Sequence, residues 1–281
     1  MNVPSLRSGI RILGILLAGS LALAPGLFAQ QEQQPPKKDA PAKVAPAPAL
    51  PDTSSVDPDE QAAYKAFYDT KLEDPDRQIK LGEQFLQKYP NSRYSQPVYS
   101  RLVAAYNEKQ DLTKLYAAAD KALALNPNDV HVLVLVGWVI PHSYDPNDMD
   151  ADRRLDKAEK YEKKALELLP TLPKPDGTSD EQFAKGKVAA ESQAHSALGL
   201  IYFRRQDAAN SVSEMQKALA SQANPDPVDF YVLGVGDFAL KHYGDAADAF
   251  HKCAQIPGPM QDRCKTKEAD AKKLAASQPK P

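Results

Sequence analysis

Cys253 and Cys264 are the two cysteines of this 281-residue chain. In an oxidising compartment such a pair points to a disulfide, with two separately buried thiols as the alternative. The five histidines are scattered. His242 and His251 lie on opposite sides of a helix–turn and have no metal-ligand spacing. His131, His142 and His195 read as packing or surface residues. Asp148, Asp150, Asp152, Asp156 and Glu159 stand at calcium-loop offsets, and Leu155 fits the apolar position of such a loop. Arg153 stands where the loop's sharp turn needs glycine. The other reading is a helix starting near Met149 or Asp150, its acids complementing the N-terminal dipole. Gly234-Val235-Gly236 has no strand before it, so it carries no weight as a nucleotide loop. The chain has no GxSxG, HExxH, CxxC or phosphate-binding glycine loop. These absences predict a protein that is not an enzyme, with no catalytic residue, no metal and no cofactor.

The elements that hold these residues are helical. Beyond Asp57 alanine, leucine, lysine and glutamate are frequent, and β-branched runs are rare. Pro90, Pro127, Pro170 and Pro225 close apolar-periodic segments rather than interrupting them. One layout recurs. Its clearest copy runs from Tyr99 through Leu102, Tyr106, Leu115 and Ala122 to Pro127. Gly137, Ala158, Ala165 and Pro170 echo it. So do Leu198, Gly199, Tyr202, Ala218 and Pro225, and then Leu233, Gly234, Ala246 and Phe250. Tyr99, Leu133, His195 and Phe230 occupy a slot that packs on the preceding hairpin. About one turn later Gly137, Gly199 and Gly234 let two helices approach. Val103 is larger there, which predicts a more open hairpin. Pro141–Asp150 and Thr171–Thr178 are inserts, and stacked hairpins tolerate such inserts in their loops. Ser179-Asp180-Glu181-Gln182 reads as a capping box opening a long helix from Asp180 to Arg205. After Pro257-Gly258-Pro259 a last helix, from about Met260 to Ala276, has one narrow apolar stripe. It would cover the open face of the last repeat.

Residues 1–29 read as a secretory signal peptide: Arg7 and Arg11, the apolar run Ile12–Ala24, the break at Pro25-Gly26, and small Ala29. The run is short for a membrane span, which needs ~20 apolar residues. An uncleaved anchor is the alternative. This predicts a periplasmic or secreted protein with no membrane span in the mature chain. Residues 30–58 are rich in Pro, Ala and Gln and read as a linker unable to bury a core. The formal net charge is -2, and removing Arg7 and Arg11 makes it more acidic. No basic footprint for nucleic acid exists.

The copies resemble tetratricopeptide repeats, which have a period of about 34 residues and the same order of large, small and proline positions. The Tyr89-Pro90-Asn91-Ser92 ending of a weaker first copy is similar to tetratricopeptide-like outer-membrane assembly lipoproteins. The resemblance implies an all-α solenoid of about five hairpins with a C-terminal capping helix over residues 59–276. It also implies an interaction scaffold whose concave groove takes a protein or peptide partner; the alternative is a structural subunit of a cell-envelope complex. In that family the first helices line the groove. Placing the copies in register puts Asn107, Val134, Trp138, Leu200, Phe203, Tyr231, Val235 and Phe238 there, polar early and aromatic late. The Lys/Asn set with which some members clamp a terminal carboxylate is not reproduced. Val130–Ile140 is apolar nearly all round, so burial in the core is the other reading of Trp138.

Overall fold

The computed structural model describes residues 57–222 and 224–278. The expected signal peptide and the linker up to residue 56 lie outside the described residues. Eleven α-helices among the described residues form five antiparallel hairpins and a final single helix. The hairpins are α1 (Pro58–Tyr68) with α2 (Pro75–Lys88), α3 (Ser95–Glu108) with α4 (Leu112–Leu125), α5 (Val130–His142) with α6 (Ala151–Leu168), α7 (Asp180–Arg204) with α8 (Ala208–Ser221), and α9 (Pro227–Ala239) with α10 (Tyr243–Gln255). The cap is α11 (Gln261–Ser277). The all-α solenoid expected from the sequence is the observed architecture.

The helix starts are written locally. Asp57, Asp74, Asp111, Asp129, Asp207 and Asp226 each accept a backbone N–H of the turn they open. This satisfies a donor the helix cannot pair internally, worth about 1 kcal/mol per cap. Ser179 and Gln182 form the full capping box of α7. Three hairpins reverse through the same turn, in which Gln110, Gln206 and Lys241 hold φ of 55°, 62° and 64°. There the N–H of Asp111, Asp207 or His242 returns to the carbonyl of Tyr106, Tyr202 or Asp237. This left-handed ending absorbs an orphan carbonyl of the first helix.

The small positions act as expected. A Cβ on Gly199 would lie 2.8 Å from Met215, and one on Gly234 would lie 2.7 Å from Phe250. In the fourth and fifth hairpins the second helix therefore inserts a large side chain where the first helix has none. In the third hairpin the inserted residue opposite Gly137 is Glu162. Val103, the large exception, is fully buried with Ala118, Ala119 and Ala122 of α4. The bulk has moved from the second helix to the first.

His195, expected in the slot that packs on the preceding hairpin, also bonds within its own hairpin, its Nδ1 2.6 Å from Glu214. The five acids of the 148–159 segment do not converge. Asp148 pairs with Arg154, Asp150 with Arg153, and Asp156 and Glu159 both with Arg205. Arginines occupy four of the five carboxylates, and α6 starts at Ala151 with Asp152 in its first turn, as the helix reading expects.

Cys253 and Cys264 are disulfide-bonded, with Cα atoms 5.8 Å apart. The bond joins α10 to the cap, whose Met260 and Ala271 are buried against the last hairpin.

Candidate functional site: the concave groove

A groove of 3620 Å³ runs along the solenoid, lined chiefly by the first helices of the hairpins. Asn107, Val134, Trp138, Phe203, Tyr231, Val235 and Phe238 line it. Leu200 does not. It is buried at 4 % exposure in the cluster of Met215, Val232 and Cys253. Its neighbours one turn on, Phe203 and Arg204, reach the groove instead.

Trp138 belongs to both surfaces. It is half-buried and packs on the core of the first three hairpins. Its ring also stacks on His142 with centroids 3.8 Å apart. The Nδ1–H of His142 donates to the Trp138 carbonyl at 2.7 Å. Burial, with a smaller contribution from Arg204, pushes the His142 imidazole down to about 4. It is therefore neutral at physiological pH, and the stacked Trp138–His142 pair brings no charge to the groove. Arg204 lies over the Tyr144 ring at 5.3 Å and donates to the Pro141 carbonyl at 3.3 Å. It closes the insert against the groove.

The long helix α7 supplies a wall. Its first turns, with Phe183, Lys187 and Val188, overhang the groove, and Val188 is 42 % exposed. Lys187 donates to the Pro170 carbonyl at 3.0 Å, fixing this overhang to the end of the preceding hairpin. At the far end Arg263 of the cap stands 5.6 Å from the Tyr231 ring and joins the lining. Charges of both signs line the groove: Lys71, Arg101, Lys187 and Arg263 stand with Asp69, Glu73, Glu108 and Asp145.

Two of the lining carboxylates are buried. Asp129 accepts from Gln96 at 2.7 Å and caps α5. Asp229 accepts from Ser196 at 2.7 Å and from Gln222 at 3.1 Å. Burial, reinforced by Asp226, raises the Asp229 carboxyl to about 6. The sequence reading missed both acids.

The groove is a long trough with aromatic side chains at intervals among polar and charged ones. Among the described residues no helix is long and apolar enough to cross a membrane.

No family model matches the chain. No curated protein matches it either. Solved structures do match. The chain is similar to PilW, a widely conserved type IV pilus biogenesis factor, at 15% identity and a TM-score of 0.53. That match covers 79% of this chain and 90% of PilW. A thermophilic tetratricopeptide-repeat protein of Thermus thermophilus, TTC0263, is similar at 15% identity with a TM-score of 0.46. It covers 75% of this chain and 98% of that one. At such identities the likeness is one of fold: the chain is a tetratricopeptide-like α-solenoid.

Proposed function

We propose that this protein is an exported interaction scaffold. Its groove binds an apolar segment or an amphipathic helix of a protein partner. One observation carries the reading: Trp138, Phe203, Tyr231 and Phe238 all open onto a single trough. Half-buried aromatics in a concave, partly preformed site are the usual anchors of protein recognition. The signal-like N-terminus supports export, and no catalytic constellation competes with the binding reading.

Photo-crosslinking in the native cells tests it. A photoreactive residue at Val188 or Tyr231 in the groove should yield one discrete adduct. The same residue at Leu125, 56 % exposed on a second helix, should yield none. Adducts from Leu125 alone, or none at any position, would overturn the groove reading. Equal adducts from both faces would instead mark a subunit enclosed in a larger envelope assembly.

A further inference from the structure

We propose that the turn joining α9 and α10 is a divalent transition-metal site formed by Asp237, His242 and Asp245. One ligand atom from each residue lies within 4.8 Å of the other two. This is a separate site from the groove, and it does not depend on the binding reading above.

The argument comes from comparing three hairpins that share one turn. In the second and fourth hairpins the last turn of the first helix carries a tyrosine. Tyr106 donates to Glu83 at 2.9 Å, and Tyr202 donates to Glu159 at 3.0 Å, each on the preceding hairpin. After the turn stands a capping aspartate. Asp111 accepts from the N–H of Lys114, and Asp207 accepts from the N–H of Asn210. The fifth hairpin keeps the backbone and changes all three side chains. Asp237 replaces the tyrosine, His242 replaces the cap, and Asp245 takes the place of Lys114 or Asn210. Val212 of the preceding hairpin packs against Gly236, next to Asp237.

Each change is unfavourable for the fold alone. His242 makes no side-chain cap bond, so α10 lacks the cap that opens α4 and α8. Asp237 is buried at 3 % exposure. The Nδ1 of His242 stands 3.6 Å from its carboxylate, an ion pair only when the imidazole is protonated. A buried carboxylate is costly unless it is paired or coordinates a cation, and a neutral imidazole at this place offers a lone pair to the same cation. The three changes meet at one point. The carboxylate is aimed from the buried side, and His242 and Asp245 complete the set from solvent, so a cation has a route in.

The donor set chooses the cation. Calcium and magnesium take oxygen shells. An imidazole with two carboxylates suits zinc and its first-row neighbours, with water in the remaining position. Such an ion would tie α9 to α10, next to the disulfide that ties α10 to the cap.

Isothermal titration of the full metal-free chain with Zn²⁺ tests the site. One ion per chain should bind, and His242→Ser should weaken binding at least tenfold. Serine caps helices, so this variant should melt no lower than the native chain in chelator. Asp237→Tyr, which restores the residue of the other hairpins, should abolish the site. Circular dichroism should confirm its helix content. Absence of Zn²⁺ binding, equal affinity in His242→Ser, or tighter binding of Ca²⁺ or Mg²⁺ than of Zn²⁺ would overturn the proposal.

Discussion

The hydroxyl of Ser196 on α7 donates to the carboxylate of Asp229 on α9 at 2.7 Å, across 33 residues of sequence. Gln96 and Asp129 make the same kind of bond at the same separation between the second and third hairpins. Both bonds lie on the groove side. They act as rungs holding neighbouring first helices at a fixed spacing.

The later rung should make stability depend on pH. The Asp229 carboxyl rises from 3.8 to about 6 in the fold. Between those values the native chain binds more protons than the unfolded chain, so stability falls as pH rises through this window and is level above it. Asp229→Asn should remove that slope and stabilise the chain at pH 7 by about 2–3 kcal/mol. The asparagine oxygen still accepts from Ser196. Its amide can donate to the Gln222 side-chain oxygen, which has no partner in the native chain. Urea midpoints of both proteins from pH 4 to pH 8 check this. Parallel curves would refute it.

Glu162 should be an equally unfavourable residue for the fold. It is fully buried, and neither carboxyl oxygen has a partner. Burial alone raises its pKa well above the usual glutamate range. Stability should therefore fall as pH rises from the ordinary glutamate value toward the raised one. Met215 and Phe250 occupy the equivalent place opposite Gly199 and Gly234. Glu162→Met should raise stability near neutral pH by about 1–3 kcal/mol, the cost of an unsatisfied buried polar group. Differential scanning calorimetry reads this directly, and a lower melting temperature would contradict it.

Reducing the Cys253–Cys264 bond should act locally. The bond closes a short loop, with a sequence separation of 11, and contributes about 2–3 kcal/mol in the chain-entropy model. Repeat arrays couple mainly to their neighbours. Amide exchange should therefore accelerate first in α11 and then in α10, with α3 and α4 unaffected. Uniform acceleration along the chain would show that the cap is not the first element released.

In the groove, Phe203→Ala should lower partner affinity by about 2 kcal/mol or more. Trp138→Ala should lower both affinity and melting temperature, because the indole serves the core as well as the groove. Val188→Asp places a charge at a 42 % exposed groove position. It should weaken binding while leaving stability within about 0.5 kcal/mol. Unchanged binding in all three variants would move the partner site off this face.

The hairpins were legible because their constraints are local. A proline ends a segment, the Ser179–Gln182 box opens one, and a glycine recurs where a second helix must come close. Groove residues were legible only through register, and register has an error of one position. Leu200 is four residues from Ser196 but turns inward toward Met215. Trp138 was ambiguous in the sequence because α5 is apolar on nearly every face, and the structure gives it two roles. The acids at 229 and 162 went unnoticed because an acid on an amphipathic helix ordinarily faces water. The Asp237, His242 and Asp245 group was invisible to spacing rules for a different reason. Those rules compare positions along one helix, as with His242 and His251, whereas the left-handed residue Lys241 folds the end of one helix onto the start of the next.

Helix α7 is 25 residues long, and it touches α5 and α6 behind it as well as α8 and α9 ahead. A chain of hairpins pulled from its two ends ordinarily yields link by link. Here the middle links share a splint. In a force-extension trace the third and fourth hairpins should give way together, as one long step between the shorter steps of the outer hairpins. The trough they line would keep its shape under load until that step, so a bound partner would be held under tension and then released all at once.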